Sequence, residues 1–164
     1  MRWIWIDRFI EFNPRQNAVA VKNVSLAEEH LHDLHPGFPI MPHSLIIEGM
    51  AQTAGILVGE ARNFSEKVIL AKIGRATFHQ LVRPGDTLTY WATLEQLSED
   101  GASVRGIVRC GLDASAPVVA EIELMFSHID KNLAGRAFPE HNFVFTEQFT
   151  QLLKSYRSAA NIPI

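Results

Sequence analysis

The chain has 164 residues, 47% of them apolar and 20% charged, and a formal net charge of −3. That length suits one domain with a sizeable core, and the charge balance argues against a protein that works by neutralising nucleic-acid phosphates. A single cysteine, Cys110, excludes an internal disulfide framework and fits a reducing compartment such as the cytoplasm.

The opening MRWIWIDRFIEF is not a secretory signal, because Asp7, Arg8 and Glu11 interrupt it and no small-residue cleavage site follows. Trp3, Trp5, Asp7, Phe9 and Glu11 alternate with Ile4, Ile6, Arg8, Ile10 and Phe12. That period of two is a strand pattern, ended by Asn13-Pro14. NAVAVKNVS reads as a second strand, placed to pair with the first as a hairpin. LAEEHLHDLHPGFPIMP is a loop with a short helical piece at Ala27–His32, and its prolines exclude regular helix from Pro36 to Pro42.

Ser44 to about Glu60 reads as the main helix, with Ser44 as its cap. Leu45, Ile46, Ile47, Met50, Ala51, Ala54, Ile56, Leu57 and Val58 cover nearly every face, the mark of a buried helix. Gly49, Gly55 and Gly59 lower its propensity and admit a neighbouring backbone, so tight wrapping by a sheet is expected. The apolar run carries Glu48 and Gln52 and is shorter than the roughly 20 residues of a membrane span.

Four further strands follow, KVILAKIGRATFHQLV, TLTYWATLEQL, ASVRGIVRCGL and VVAEIELMFSHI, separated by RPGD, SEDG and DASAP. The spacing predicts an antiparallel meander. The whole is α+β, an antiparallel sheet wrapped around one long central helix. We read residues 1–164 as a single domain, with a core to about 130 and an extension over 131–164 that carries a short helix at TEQFTQLLKSYR.

Glu48 is the residue the pattern does not explain. Ionised carboxylates are rarely buried without a partner, and a carboxyl tuned upward by desolvation suits acid–base chemistry near neutrality. Gln52 lies one turn on and on the same face, in position to orient Glu48 by a hydrogen bond and leave one oxygen for a substrate. The plain structural alternative is a half-wet acid in the first turns, favoured by the helix dipole. The stiff loop ahead of the helix also exposes backbone N–H groups able to hold a carbonyl oxygen.

The remaining candidates are weaker. His30 and His32 suggest a metal only faintly and read as a solvated loop. Cys110, on a strand pattern, reads as packing. His79 and His128 end strands and read as structural or exposed, and His141 lies in the irregular tail. Trp3, Trp5 and Trp91 read as core or interface packing.

HPGFPIMPHSLIIEGMAQTAGIL resembles the signature of the 3-hydroxyacyl-[acyl carrier protein] dehydratases, the FabZ/FabA-like hot-dog proteins. Pro36, Gly37, Pro39, Met41, Pro42, Glu48, Met50, Ala51 and Gln52 match, and so do GRATFHQLVRPGDTL and VVAEIELMF further on, so the likeness runs roughly from Trp3 to Ile129. It implies loss of water from a 3-hydroxyacyl thioester to give a trans-2-enoyl thioester, with neither metal nor cofactor. Glu48 would be the acid and a histidine the base, the two coming from different subunits of a dimer or of a trimer of dimers. The family histidine position is Leu34 here, with His35 next to it; His43 stands where the family has glycine. His35 is the first candidate for the base, loss of the base stands level with it, and His43 comes behind both.

Gly37, Phe38, His43 and Gln52 are expected to bind substrate, with Phe38, Ile40, Leu45 and Phe78 lining an acyl tunnel. The substrate would be an acyl carrier protein or coenzyme A thioester. Lys67, Lys72, Arg75 and Arg83 are basic candidates for meeting an acidic carrier, with a solvated face as the plainer account. An acyl-CoA thioesterase, or a binding homologue without chemistry, is the rival reading on the same fold.

Overall fold

In the computed structural model, described over residues 4–33, 36–129, 144–145 and 151, two short strands precede the main helix and four long ones follow it. Strands β1 (Arg8–Asn13) and β2 (Asn17–Asn23) form the expected hairpin, with Phe9 opposite Ala20 and Asn13 opposite Asn17. The first strand is shorter than its alternation predicts. Trp5 turns its N–H away from the sheet, and the ladder begins only around Asp7, whose N–H reaches the Val21 carbonyl.

Helix α1 (His30–Asp33) is a single turn that starts later than the expected Ala27. Ser25 and Glu28 stand just ahead of it. The Ser25 hydroxyl accepts the Ala27 N–H, and the Glu28 carboxylate accepts the Ser25 N–H. The S-x-x-E spacing is that of a capping box.

Helix α2 (His43–Glu60) begins one residue earlier than expected, and Ser44 does not cap it. The cap is Pro42, whose extended backbone (φ −58°, ψ 139°) aims its carbonyl at the N–H groups of Leu45 and Ile46. A proline needs no donor there, and its carbonyl is free to start the helix. Ile46, Met50, Ala54, Leu57 and Val58 are wholly buried, each larger one contributing about 1.5–3 kcal/mol by leaving water.

Strands β3 (Val68–Phe78), β4 (Thr87–Leu97), β5 (Gly101–Cys110) and β6 (Val118–His128) complete a six-stranded antiparallel sheet in the order β1-β2-β4-β5-β6-β3. The meander expectation holds for β4-β5-β6 and fails for β3, which pairs only with β6, at the sheet's edge. The linker between β3 and β4 explains the difference. Val82 accepts the N–H of Met41, Asp86 accepts that of Val24, and Gly85 donates to Val24. Those bonds fasten the linker to the end of β2 and to the loop before α2. They deliver β4 beside β2 rather than back along β3.

The sheet wraps the helix closely, as the glycines predict. A Cβ on Gly49 would lie 2.4 Å from the ring of Tyr90 on β4, and one on Gly106 of β5 would lie 2.5 Å from the sulfur of Met50. The core fills the space between α2 and the sheet, with Phe9, Tyr90, Val108, Ile122 and Leu124 facing the helix side. The expected terminal helix, apart from the exposed Gln151, lies outside the described residues, as do Trp3 and His141. No helix among the described residues is long and apolar enough to cross a membrane.

Candidate active site

Glu48 and Gln52 sit half-buried on one face of α2, one turn apart. The Gln52 side-chain N–H donates to Glu48 Oε1 at 2.7 Å, the contact the spacing anticipates. The Gln52 Oε1 accepts the backbone N–H of Trp5, also at 2.7 Å. One carboxylate oxygen is therefore held by the neighbouring amide. On the same helix Leu45, Ile47 and Ala51 pack half-buried against the core.

The loop before α2 is fastened on three sides. Met41 is buried and bonded to Val82, the Arg83 guanidinium lies 4.8 Å over the Phe38 ring, and the His43 imidazole lies flat on Phe78 with centroids 3.9 Å apart and planes 3° from parallel. Gly37 supplies a left-handed turn at φ 80° that other residues adopt at a cost. Gly37 and Phe38 are exposed, and Phe38 keeps 48% of its surface. The N–H groups of His43 and Ser44 precede the helix's own hydrogen bonds and point out of its first turn. Of the expected tunnel residues, Leu45 and Phe78 pack inward, Ile40 is half-buried and Phe38 stands at the surface.

His35 lies outside the described residues. His30 does not face the loop tip: its ring meets the Trp5 indole at 5.1 Å and 59°. Burial lowers its pKa, with Glu28 opposing and Lys22 adding to the effect. His128 is wholly buried, with Nδ1 2.9 Å from Glu66 and 3.1 Å from the Glu99 carbonyl, whereas His79 is exposed beside Glu121. Among the described residues no three His, Cys, Asp or Glu side chains converge as a metal site.

One reading needs correction. Lys67 is not a surface candidate for a carrier, because it is only 6% exposed at the entry to β3; Lys72, Arg75 and Arg83 are exposed. Trp5 packs in the core as expected, and its backbone N–H also reaches Gln52. Buried Lys22, paired with Glu28 and 5.2 Å over the Trp5 ring, was not singled out in the sequence; the Ser25–Glu28 spacing was the one available signal. Cys110 packs as expected: half-buried, with burial and then Asp86 pushing its thiol pKa up.

A FabA-like domain model matches residues 3–123, and the chain belongs to that family. The 3-hydroxyacyl-[acyl-carrier-protein] dehydratase FabZ of Lactobacillus helveticus is 36% identical over 124 residues, covering 75% of this chain and 81% of that protein. The dehydratase heterocomplex ApeI:P of Xenorhabdus doucetiae has a chain that superposes with a TM-score of 0.62 at 18% identity, over 76% of this chain and 82% of that one. The thioesterase HI1161 of Haemophilus influenzae superposes at 0.57 and 14%, over 72% and 75%. The last two likenesses bear on the fold alone, and they agree with the expected hot-dog architecture.

Proposed function

We propose that the chain is a hydro-lyase that converts a 3-hydroxyacyl thioester, carried on acyl carrier protein, to the trans-2-enoyl thioester in fatty acid or related lipid synthesis. The single observation that carries this reading is the half-buried Glu48, held by one oxygen through Gln52. A base removes the proton at C2, the C–H electron pair becomes the C2=C3 bond, and the C3–O bond breaks. The hydroxyl departs as water with the proton that Glu48 supplies. The thioester carbonyl makes the C2 proton acidic, and backbone N–H groups near Gly37 and His43 stabilise the charge that gathers on its oxygen.

We assign the base to His35, beside the family's histidine position. The flat stack of His43 on Phe78 and the seat of His30 against Trp5 support this choice. In this reading a second copy completes each site. Strand β3 has one free edge, and its Leu70 and Ile73 are exposed at 38% and 43% although they share the core side with Phe126 and Leu124. A second β3 paired there covers them and brings one chain's histidine to the other's acid, in a dimer or a trimer of dimers. The single cysteine, Cys110, fits the reducing cytoplasm that this reading calls for.

The test is enoyl-thioester absorbance with a 3-hydroxyacyl carrier-protein substrate, set against the coenzyme A thioester. Glu48→Gln is expected to slow turnover roughly 10²- to 10⁴-fold, and His35→Ala comparably, with His43→Ala far less affected. An unchanged rate in Glu48→Gln refutes the role of the acid. Release of free thiol without enoyl product makes the chain a thioesterase instead.

A further inference from the structure

Gln52 is a primary amide gripped at both ends. A side-chain amide beside a carboxylate has two orientations half a turn apart, and only one offers N–H to the acid. The Trp5 backbone N–H, 2.7 Å from Gln52 Oε1, selects that orientation, because a donor there excludes the NH₂ group. Trp5 is itself immobilised. Its side chain is 8% exposed, with Lys22 Nζ 5.2 Å above one ring and His30 5.1 Å away. Lys22 is 6% exposed and pinned by Glu28 and by the Asn23 carbonyl. A chain of fixed groups thus runs from Lys22 through the indole and its backbone to Gln52 and Glu48.

We propose that Trp5 is a positioning residue for the dehydration step: its buried indole anchors the N-terminal segment, whose N–H sets the Gln52 amide and hence the aim of Glu48. The kinetic part rests on the dehydratase reading; the geometric part does not. The proposal requires the effect of Trp5 on Glu48 to pass through Gln52, whose amide the Trp5 N–H holds.

That requirement is testable by a double-mutant cycle in the full chain, with folding checked by thermal melting. Trp5→Ala keeps the N–H and removes its anchor, and is expected to lower kcat about tenfold with KM within about twofold. Trp5→Phe should restore most of the rate. In a Gln52→Leu background, Trp5→Ala should cause no further loss, and losses that multiply would overturn the proposal. Hydrogen exchange gives a reading without turnover. The Trp5 amide should be protected in the wild type and exchange at least about tenfold faster in Gln52→Leu. Equal exchange in the two proteins overturns the proposal, whereas a wild type that makes no enoyl product refutes only the dehydratase reading.

Discussion

Replacing Gly49 by alanine adds one methyl group where the structure has no room for it. The new carbon would stand 2.4 Å from Tyr90 Cζ, 2.5 Å from its hydroxyl oxygen and 2.8 Å from Cε2. Carbon atoms rest about 3.5–4.0 Å apart, so helix and ring must separate by roughly 1 Å. Tyr90 has no easy retreat: it is wholly buried on the central strand β4, paired through Ala20 to β2 and through Val108 to β5. Overpacking of this kind costs about 1–3 kcal/mol, against a gain of about 1 kcal/mol in helix propensity for alanine over glycine. The expected net destabilisation is about 0–2 kcal/mol, measured as a fall in the urea midpoint at constant slope. Tyr90→Leu removes the three obstructing atoms, so Gly49→Ala should cost less in that background than alone. Glu48 is the adjoining residue, and under the proposed function a shift of roughly 1 Å in its turn is expected to lower kcat up to about 100-fold. Additive stabilities in the Gly49–Tyr90 cycle would refute the account of why the helix carries glycine at this position.

Two further outcomes follow from the loop and its surroundings. Gly37→Ala places a side chain at φ 80° and should cost about 1 kcal/mol, read by thermal melting, and under the proposed function should raise KM by disturbing the turn ahead of α2. Burial holds the His30 pKa below its ordinary 6.5, with Glu28 partly opposing and Lys22 reinforcing, so the unfolded chain binds this proton more readily than the folded one. Stability from this group is therefore full above pH 6.5 and is lost as pH falls through that value toward the lowered one. His30→Phe, which keeps an aromatic ring against Trp5, should flatten that part of the urea-midpoint profile; an identical profile in both proteins would contradict it.

The central helix and the acid it carries were legible because their signals are local. An apolar run with interspersed glycine has to be wrapped, and residues four apart on a helix meet, so spacing alone pairs Glu48 with Gln52. Strand positions were visible by alternation for the same reason. What stayed hidden was non-local. The Trp5–Gln52 bond joins residues 47 apart and leaves no periodicity, and the edge position of β3 depends on where the Val82–Asp86 linker is fastened. Lys67 was misplaced because lysines are so seldom buried that exposure is the natural reading. The cap at Ser44 failed because a proline carbonyl does the same task without a side-chain oxygen.

The pairing of β3 with β6 has a topological consequence. Each rung of that ladder closes a loop of roughly 40 to 60 residues, far longer than the hairpin closures within β4-β5-β6, and the chain entropy of closure rises with loop length. Phe78, the last residue of β3 and the platform of the His43 ring, is therefore tied to the sheet by a non-local ladder. Because β6 is the strand that β3 pairs with, damage to the β5–β6 hairpin is expected to loosen the seat of Phe78 as well.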